Sequence, residues 1–281
     1  MLDISKKIDK FNLNVLKKVK DVADNLQIDF FLVGATVRDM ILNYVYDIKI
    51  YRATNDIDFA VRVKNWNDYF KLTNETEKVG FKKDERITHR FYYDGLIIDF
   101  IPFGDIADED DNIVWQDNEN KKMNVIGFDD AYLNTEEILI QTDPDIIIKA
   151  ASVESLVMLK IIAWNERSAN ARLKDARDLY LIISTYLRAG NEKRLFDEHS
   201  DIVESAIDYE LTGARLLGRD ISKVASENVK NDILGILKDD KLDLLANEMA
   251  QYEGLSLDRD EQIKNSLALL NSMITGLNDK R

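Results

Sequence analysis

Asn55-Asp56-Ile57-Asp58-Phe59-Ala60-Val61 alternates carboxylates with apolar side chains before ending in an apolar run, and reads as a strand. A period of two places Asp56 and Asp58 on one face, roughly 6–7 Å apart along the backbone. Ile57 and Phe59 point the other way, into a core. Neighbouring carboxylates on a half-buried strand repel one another and are costly to desolvate. Two divalent cations about 3.5–4 Å apart would relieve that cost and supply phosphoryl chemistry. A strand end with solvated aspartates is the plain alternative, and the pair taken alone slightly favours it.

Upstream, Ile28 to Val33 is a short apolar strand that stops at Gly34. Gly34-Ala35 then forms a strand-to-helix turn, where glycine lets backbone N–H groups approach phosphate and a helix N-terminus favours the negative charge. Thr36 is expected to cap the helix, in which Val37, Met40 and Ile41 share a face. Further back, Ile8, Phe11, Val15, Val19, Val22 and Leu26 recur every three or four residues, the pattern of an amphipathic helix. Downstream, Asn65 or Asn67 opens a helix that stops near Gly80.

Two strands follow, His89 to Tyr93 and Leu96 to Phe103, joined by the hairpin dipeptide Asp94-Gly95. The second holds Asp99 within an apolar run, and a lone carboxylate in a central strand needs a partner. A metal shared with the neighbouring strand is the expected one. Asp105 to Asn120 is acidic and polar, and its Asp108-Glu109-Asp110-Asp111 run is expected to be a solvated loop. From Ala150 the periodicity becomes helical, strongest in Ser152 to Asn165 and Leu173 to Tyr186. The expected architecture is an α/β (α+β) domain with a mixed sheet over residues 1–150, followed by an all-helical domain over 151–281.

Composition narrows the function. The chain has no cysteine, which excludes disulfides and thiolate zinc sites. Its two histidines, His89 and His199, are too far apart in sequence for a histidine metal site. Trp66, Trp115 and Trp164 read as packing residues. A net charge of −14, with both halves acidic, lowers the odds of a large nucleic-acid partner but suits a metal-bound nucleotide. No apolar run is long enough to span a bilayer and the N-terminus lacks a signal-peptide core, so a cytoplasmic protein without membrane contact is expected.

The glycine turn, the Asp56/Asp58 strand and the later Asp99 together resemble the nucleotidyltransferase superfamily related to DNA polymerase beta. Leu32-Val33-Gly34-Ala35-Thr36-Val37-Arg38-Asp39 looks especially like the head of CCA-adding and poly(A) polymerases. Ala35 stands where serine or glycine is usual, and the long gap from Gly34 to Asp56 implies an inserted loop. Closer still is the resemblance to AbiEii-type nucleotidyltransferases, toxin components of abortive-infection and toxin–antitoxin pairs. It rests on Ala53 to Val61, Ile98-Asp99-Phe100-Ile101-Pro102-Phe103-Gly104, Leu159-Lys160-Ile161-Ile162-Ala163-Trp164 and Arg172-Leu173-Lys174-Asp175-Ala176-Arg177-Asp178-Leu179.

The resemblance implies a metal-dependent enzyme that moves a nucleotide from a nucleoside triphosphate to an acceptor hydroxyl. Asp56, Asp58 and Asp99 would hold two Mg2+ ions. Gly34, Ala35, Thr36, Arg38 and Lys160 would bind the nucleotide, and Lys160 and Asp175, with Asp178 nearby, would face the cleft from the helical domain. Implied partners are a tRNA acceptor and a cognate antitoxin. A small-molecule or protein acceptor, or a non-catalytic nucleotide-binding module, remain as alternatives. Spacing alone fits Lys174, Asp175, Arg177 and Asp178 equally well to a solvated helix face with local ion pairs. Lys160 sits within an apolar helical face, where a lysine is expensive unless an acid or a triphosphate pairs with it.

Overall fold

The computed structural model describes residues 1–51, 54–116, 122–205, 208–252 and 258–279. Ala53, the first residue of one family-like stretch, and Asp117 to Asn120, the end of the acidic, polar stretch, lie outside them. The chain divides into two units, one comprising Met1–Val45 and Arg52–Ser152, the other Tyr46–Tyr51 and Val153–Arg281.

The first unit contains strands β1 (Leu2–Asp3), β2 (Phe30–Val33), β3 (Asp56–Arg62), β4 (Lys82–Lys83), β5 (Arg90–Tyr93), β6 (Leu96–Phe103), β7 (Asn112–Val114), β8 (Lys122–Asn124), β9 (Thr135–Gln141) and β10 (Ile146–Ala151). Among the described residues, eight of them form one mixed sheet in the order β1-β9-β10-β2-β3-β6-β5-β4. At its centre β3 runs antiparallel to β2 and parallel to β6. Ile57 and Phe59 are buried together with their register partners Ile98 and Phe100, and the Phe59 and Phe100 rings stack at 5.4 Å. That apolar face explains why a strand carrying two aspartates forms at all: burial of its alternate residues outweighs their cost.

Among the described residues four α-helices belong to this unit: α1 (Lys10–Leu26), α2 (Gly34–Asp39), α3 (Trp66–Lys78) and α4 (Phe128–Leu133). Helix α2 continues into a π-helical turn at Met40–Val45. The Asp9 side chain caps α1 and the Asn65 side chain caps α3. Tyr69 of α3 donates its hydroxyl to the Phe100 carbonyl at 3.1 Å. The opposite sheet face is closed at one end by Phe31, Phe103, Phe128 and Tyr132, leaving the Asp58 end for the site.

Three local expectations change. Thr36 lies inside α2 and does not cap it; the N-cap is Val33, with no side-chain bond. Asp108 to Asp111 form an exposed loop as expected, but the polar stretch beyond them is partly structured, since Asn112–Val114 pairs with Lys122–Asn124 and Ile113 and Trp115 are buried. Strands β1, β9 and β10, which the sequence reading did not anticipate, extend the sheet beyond β2.

Every described regular element of the second unit is helical: α5 (Val153–Glu166), α6 (Ala169–Thr185), a π-helical turn at Leu187–Asn191, α7 (Glu192–Glu198), α8 (Ser200–Ser205), α9 (Tyr209–Val224), α10 (Glu227–Ile236), α11 (Asp239–Met249) and α12 (Arg259–Asn278). Helices α9 and α12 approach closely at Gly276, where a Cβ would strike the Arg215 carbonyl. The segment Tyr46–Tyr51, between the glycine turn and β3, also belongs to this unit. There the Tyr51 ring meets Tyr252 edge-on at 5.9 Å. Among the described residues no helix is long and apolar enough to cross a membrane.

Candidate active site

The register of three strands builds the site. Val33 pairs with Asp58, and Asp58 pairs with Asp99, so the glycine turn and two of the carboxylates meet at one level of the sheet. Asp56 lies two residues earlier on the same face of β3. Gly34 has φ +78°, a left-handed conformation that costs a residue with a Cβ, and here a Cβ would also collide with the Asp58 carboxylate. The turn is thus a cradle against Asp58 that only glycine leaves open.

Thr36 ties the turn to β3 by donating its hydroxyl to the Asp56 carbonyl at 2.5 Å. The Thr54 hydroxyl donates to the Asp56 carboxylate. Asp56 faces a cleft of about 310 Å³, whose other walls include Asp9, Phe11, Asn12, Asp39 and Tyr44. Burial raises the Tyr44 pKa, and the charges of Asp9 and Asp39 add to that rise. Arg38 is buried and holds Asp39 through its Nε at 2.7 Å, so its guanidinium fixes a cleft wall. Ala35 is half-buried beside Gly34.

Asp99 is 6 % exposed and has a partner that the sequence reading did not name. Arg90 of β5 donates from Nε and Nη2 to Asp99 Oδ1 and Oδ2 at 2.9 and 2.8 Å. That bond raises the Arg90 pKa against the opposing effect of burial, with a smaller contribution from the Asp56 charge. The signal was present: a two-residue Asp94-Gly95 loop pairs Tyr93 with Leu96, and counting back pairs Arg90 with Asp99. The partner expected for Asp99 was a metal shared with the neighbouring strand, and the structure adds Arg90 as a second one. A guanidinium in bidentate geometry already compensates the carboxylate.

Among the described residues, no three His, Cys, Asp or Glu side chains stand close enough to hold a metal ion. The residues nonetheless suit a hard divalent cation. The donors on the shared face are all carboxylate oxygens, and the missing Cβ of Gly34 leaves the Asp58 carboxylate its place against the turn. Asp99 can join such a set only by sharing or releasing Arg90.

The helical candidates are joined to one another by ion pairs within the second unit. Lys160 of α5 is 7 % exposed and donates to Asp178 at 2.6 Å and to Asp175 at 3.3 Å. Arg167 donates to the other Asp175 oxygen at 2.6 Å. The pairing explains how a lysine survives in an apolar helical face, and it sets aside the solvated-face reading of Asp175 and Asp178, both buried.

A family model described as "Nucleotidyl transferase AbiEii toxin, Type IV TA system" matches residues 19–247. No curated protein matches the chain. Among solved structures, the chain is similar to the antibiotic-resistance factor ANT(2'')-Ia in solution, with 12% identity and a TM-score of 0.40. The alignment covers 70% of this chain and 97% of that one. It is also similar to the Thermotoga maritima CCA-adding enzyme complexed with tRNA, with 13% identity and a TM-score of 0.28, covering 98% of this chain and 82% of that one.

Proposed function

The chain belongs to the AbiEii nucleotidyl transferase toxin family, and from that premise we propose that it moves a nucleotide from a nucleoside triphosphate to an acceptor hydroxyl, releasing pyrophosphate. The observation that carries this reading is the meeting of the Gly34 turn, Asp58 and Asp99 at one level of the sheet, with Asp56 at the cleft. Asp56 and Asp58, with Asp99, are the residues that would hold Mg2+, which when bound neutralises triphosphate charge and acidifies the acceptor hydroxyl.

The remaining roles fall to the chain itself. Gly34 and Ala35 offer backbone N–H groups to phosphate oxygens, since no side chain caps that turn. Thr36 and Thr54 hold the Asp56 end of β3 in place through their bonds to its carbonyl and carboxylate. Arg38 acts through Asp39. Lys160 and Asp175 are candidate site residues from the family pattern, and their contribution is tested by substitution below.

As a toxin of this family, the protein would act inside the cell on a tRNA acceptor and be restrained by a cognate antitoxin. One observation favours a second acceptor class. The cleft beside Asp56 is walled by Asp9, whose charge opposes a polyanion and suits a small cationic polyol, and by Asp39, which Arg38 already pairs. Incubation of the purified chain with each labelled triphosphate, Mg2+ and total cellular RNA separates the readings. Label on tRNA, lost in Asp56→Asn, supports the toxin-on-tRNA reading. Label only on an added amino sugar supports the second. No label on RNA, protein or amino sugar overturns nucleotidyl transfer.

A further inference from the structure

We propose that Arg90 is a resident competitor of the divalent cation at Asp99, and that it sets how tightly the carboxylate site takes up metal. The inference rests on the reading of Asp56, Asp58 and Asp99 as the metal-holding set. Both oxygens of Asp99 are bonded to one guanidinium in a planar fork, at 2.9 and 2.8 Å. A cation drawn to those oxygens meets a fixed positive charge a few ångströms away, and charges so placed repel strongly where water is scarce. Asp99 is nearly buried, so screening there is weak.

Arg90 is built to yield. Its backbone is pinned, since its N–H bonds the Ile87 carbonyl at 3.0 Å and its carbonyl accepts from Asp84 at 2.8 Å. Its side chain is 26% exposed, so the guanidinium can swing toward solvent while its Cα stays beside the site. The Asp84 bond carries the β4 ladder, which pairs Lys82 with Tyr92 and Lys83 with Phe91, on to the Arg90 backbone and leaves its side chain out of that pairing. A displaced Arg90 remains next to Asp99 as a cation available to the triphosphate. The same residue would thereby favour loading of metal together with nucleotide over loading of metal alone.

A purely structural ion pair predicts something different: loss of stability on substitution with no change in metal affinity. The test is Mn2+ binding by the full-length chain, read from the free-ion signal in electron paramagnetic resonance. Arg90→Gln is expected to tighten Mn2+ binding on the order of tenfold. Arg90→Lys, which keeps the charge, is expected to tighten it far less. Unchanged or weaker binding in Arg90→Gln overturns the proposal.

If Arg90→Gln fails to fold, wild type carries the test. The Arg90 Nε–H resonance, identified by its absence in Arg90→Lys, should broaden or exchange away on saturation with Mg2+, and a resonance that persists unchanged overturns the proposal. Failure of the underlying reading looks different. In that case Asp58→Asn leaves Mn2+ binding unchanged and wild type transfers no label. Transfer by wild type together with unaltered affinity in Arg90→Gln removes the competitor role alone.

Discussion

Gly34 carries two demands at once, a positive φ and an absent Cβ beside Asp58. Gly34→Ala is expected to cost about 1–3 kcal/mol from backbone strain alone, with a further loss because the methyl group displaces the Asp58 carboxylate. Urea denaturation measures the first effect and label transfer the second. Ala35→Ser, one position on, restores the more usual residue of this turn and is expected to change stability by less than about 0.5 kcal/mol. Equal damage at the two positions would show that the turn is not closed against Asp58. The contrast isolates geometry from chemistry, because neither residue brings a charged group.

Helices α5 and α6 are joined by buried charge, and α9 and α12 by close backbone approach. Lys160→Met leaves Asp175 and Asp178 without their shared cation. The expected cost is about 3–5 kcal/mol, the usual consequence of breaking a buried ion pair from one side. Arg167 still holds Asp175, so the lower part of that range is expected. Urea unfolding of Lys160→Met beside the double variant Lys160→Met/Asp178→Asn checks the cause, since removing one stranded carboxylate should recover part of the loss. Label transfer by these variants tests the family-derived role separately from stability. Gly276→Ala forces α12 off the Arg215 carbonyl and is expected to cost at least about 1–3 kcal/mol, the range for overpacking.

At the scale of the whole molecule, acid stability and ligand linkage are the informative measurements. Burial acts to raise the Asp220 pKa, yet hydrogen bonds from Arg194, Lys223 and Tyr186 outweigh it and hold the carboxyl below its ordinary value of 3.8. Asp201, bonded to Arg219, is held at about 2. A depressed folded-state pKa gives stability that is present above the unfolded value and lost as pH falls through the folded one. The melting temperature should therefore fall as pH drops below 3.8. The gap between wild type and Asp220→Asn should shrink over that range, and a gap independent of pH would remove Asp220 from the acid limb. Magnesium with triphosphate at about 100 times Kd should add about 2.7 kcal/mol by mass action. Asp58→Asn should abolish most of the corresponding rise in melting temperature.

Much of the site was legible along the chain because its information is local. Alternation marked β3 and its two-aspartate face. The Asp94-Gly95 loop specified the pairing of Arg90 with Asp99 through simple counting, although the reading stopped at Asp99. Helical periodicity marked α1, α5 and α6, and of the two asparagines expected to open α3, Asn65 caps it. What the chain by itself did not reveal depends on distant partners. Strand β10 enters between β9 and β2, Tyr46–Tyr51 joins the helical unit, and Asp9, Phe11 and Tyr44 become walls of the cleft beside Asp56. Periodicity reports which face of an element is apolar, whereas its choice of neighbour is made by long-range burial that no local window contains. Sequence therefore determined the elements around the glycine turn and the carboxylates they carry, and tertiary structure decided the flanking strands and what each carboxylate faces.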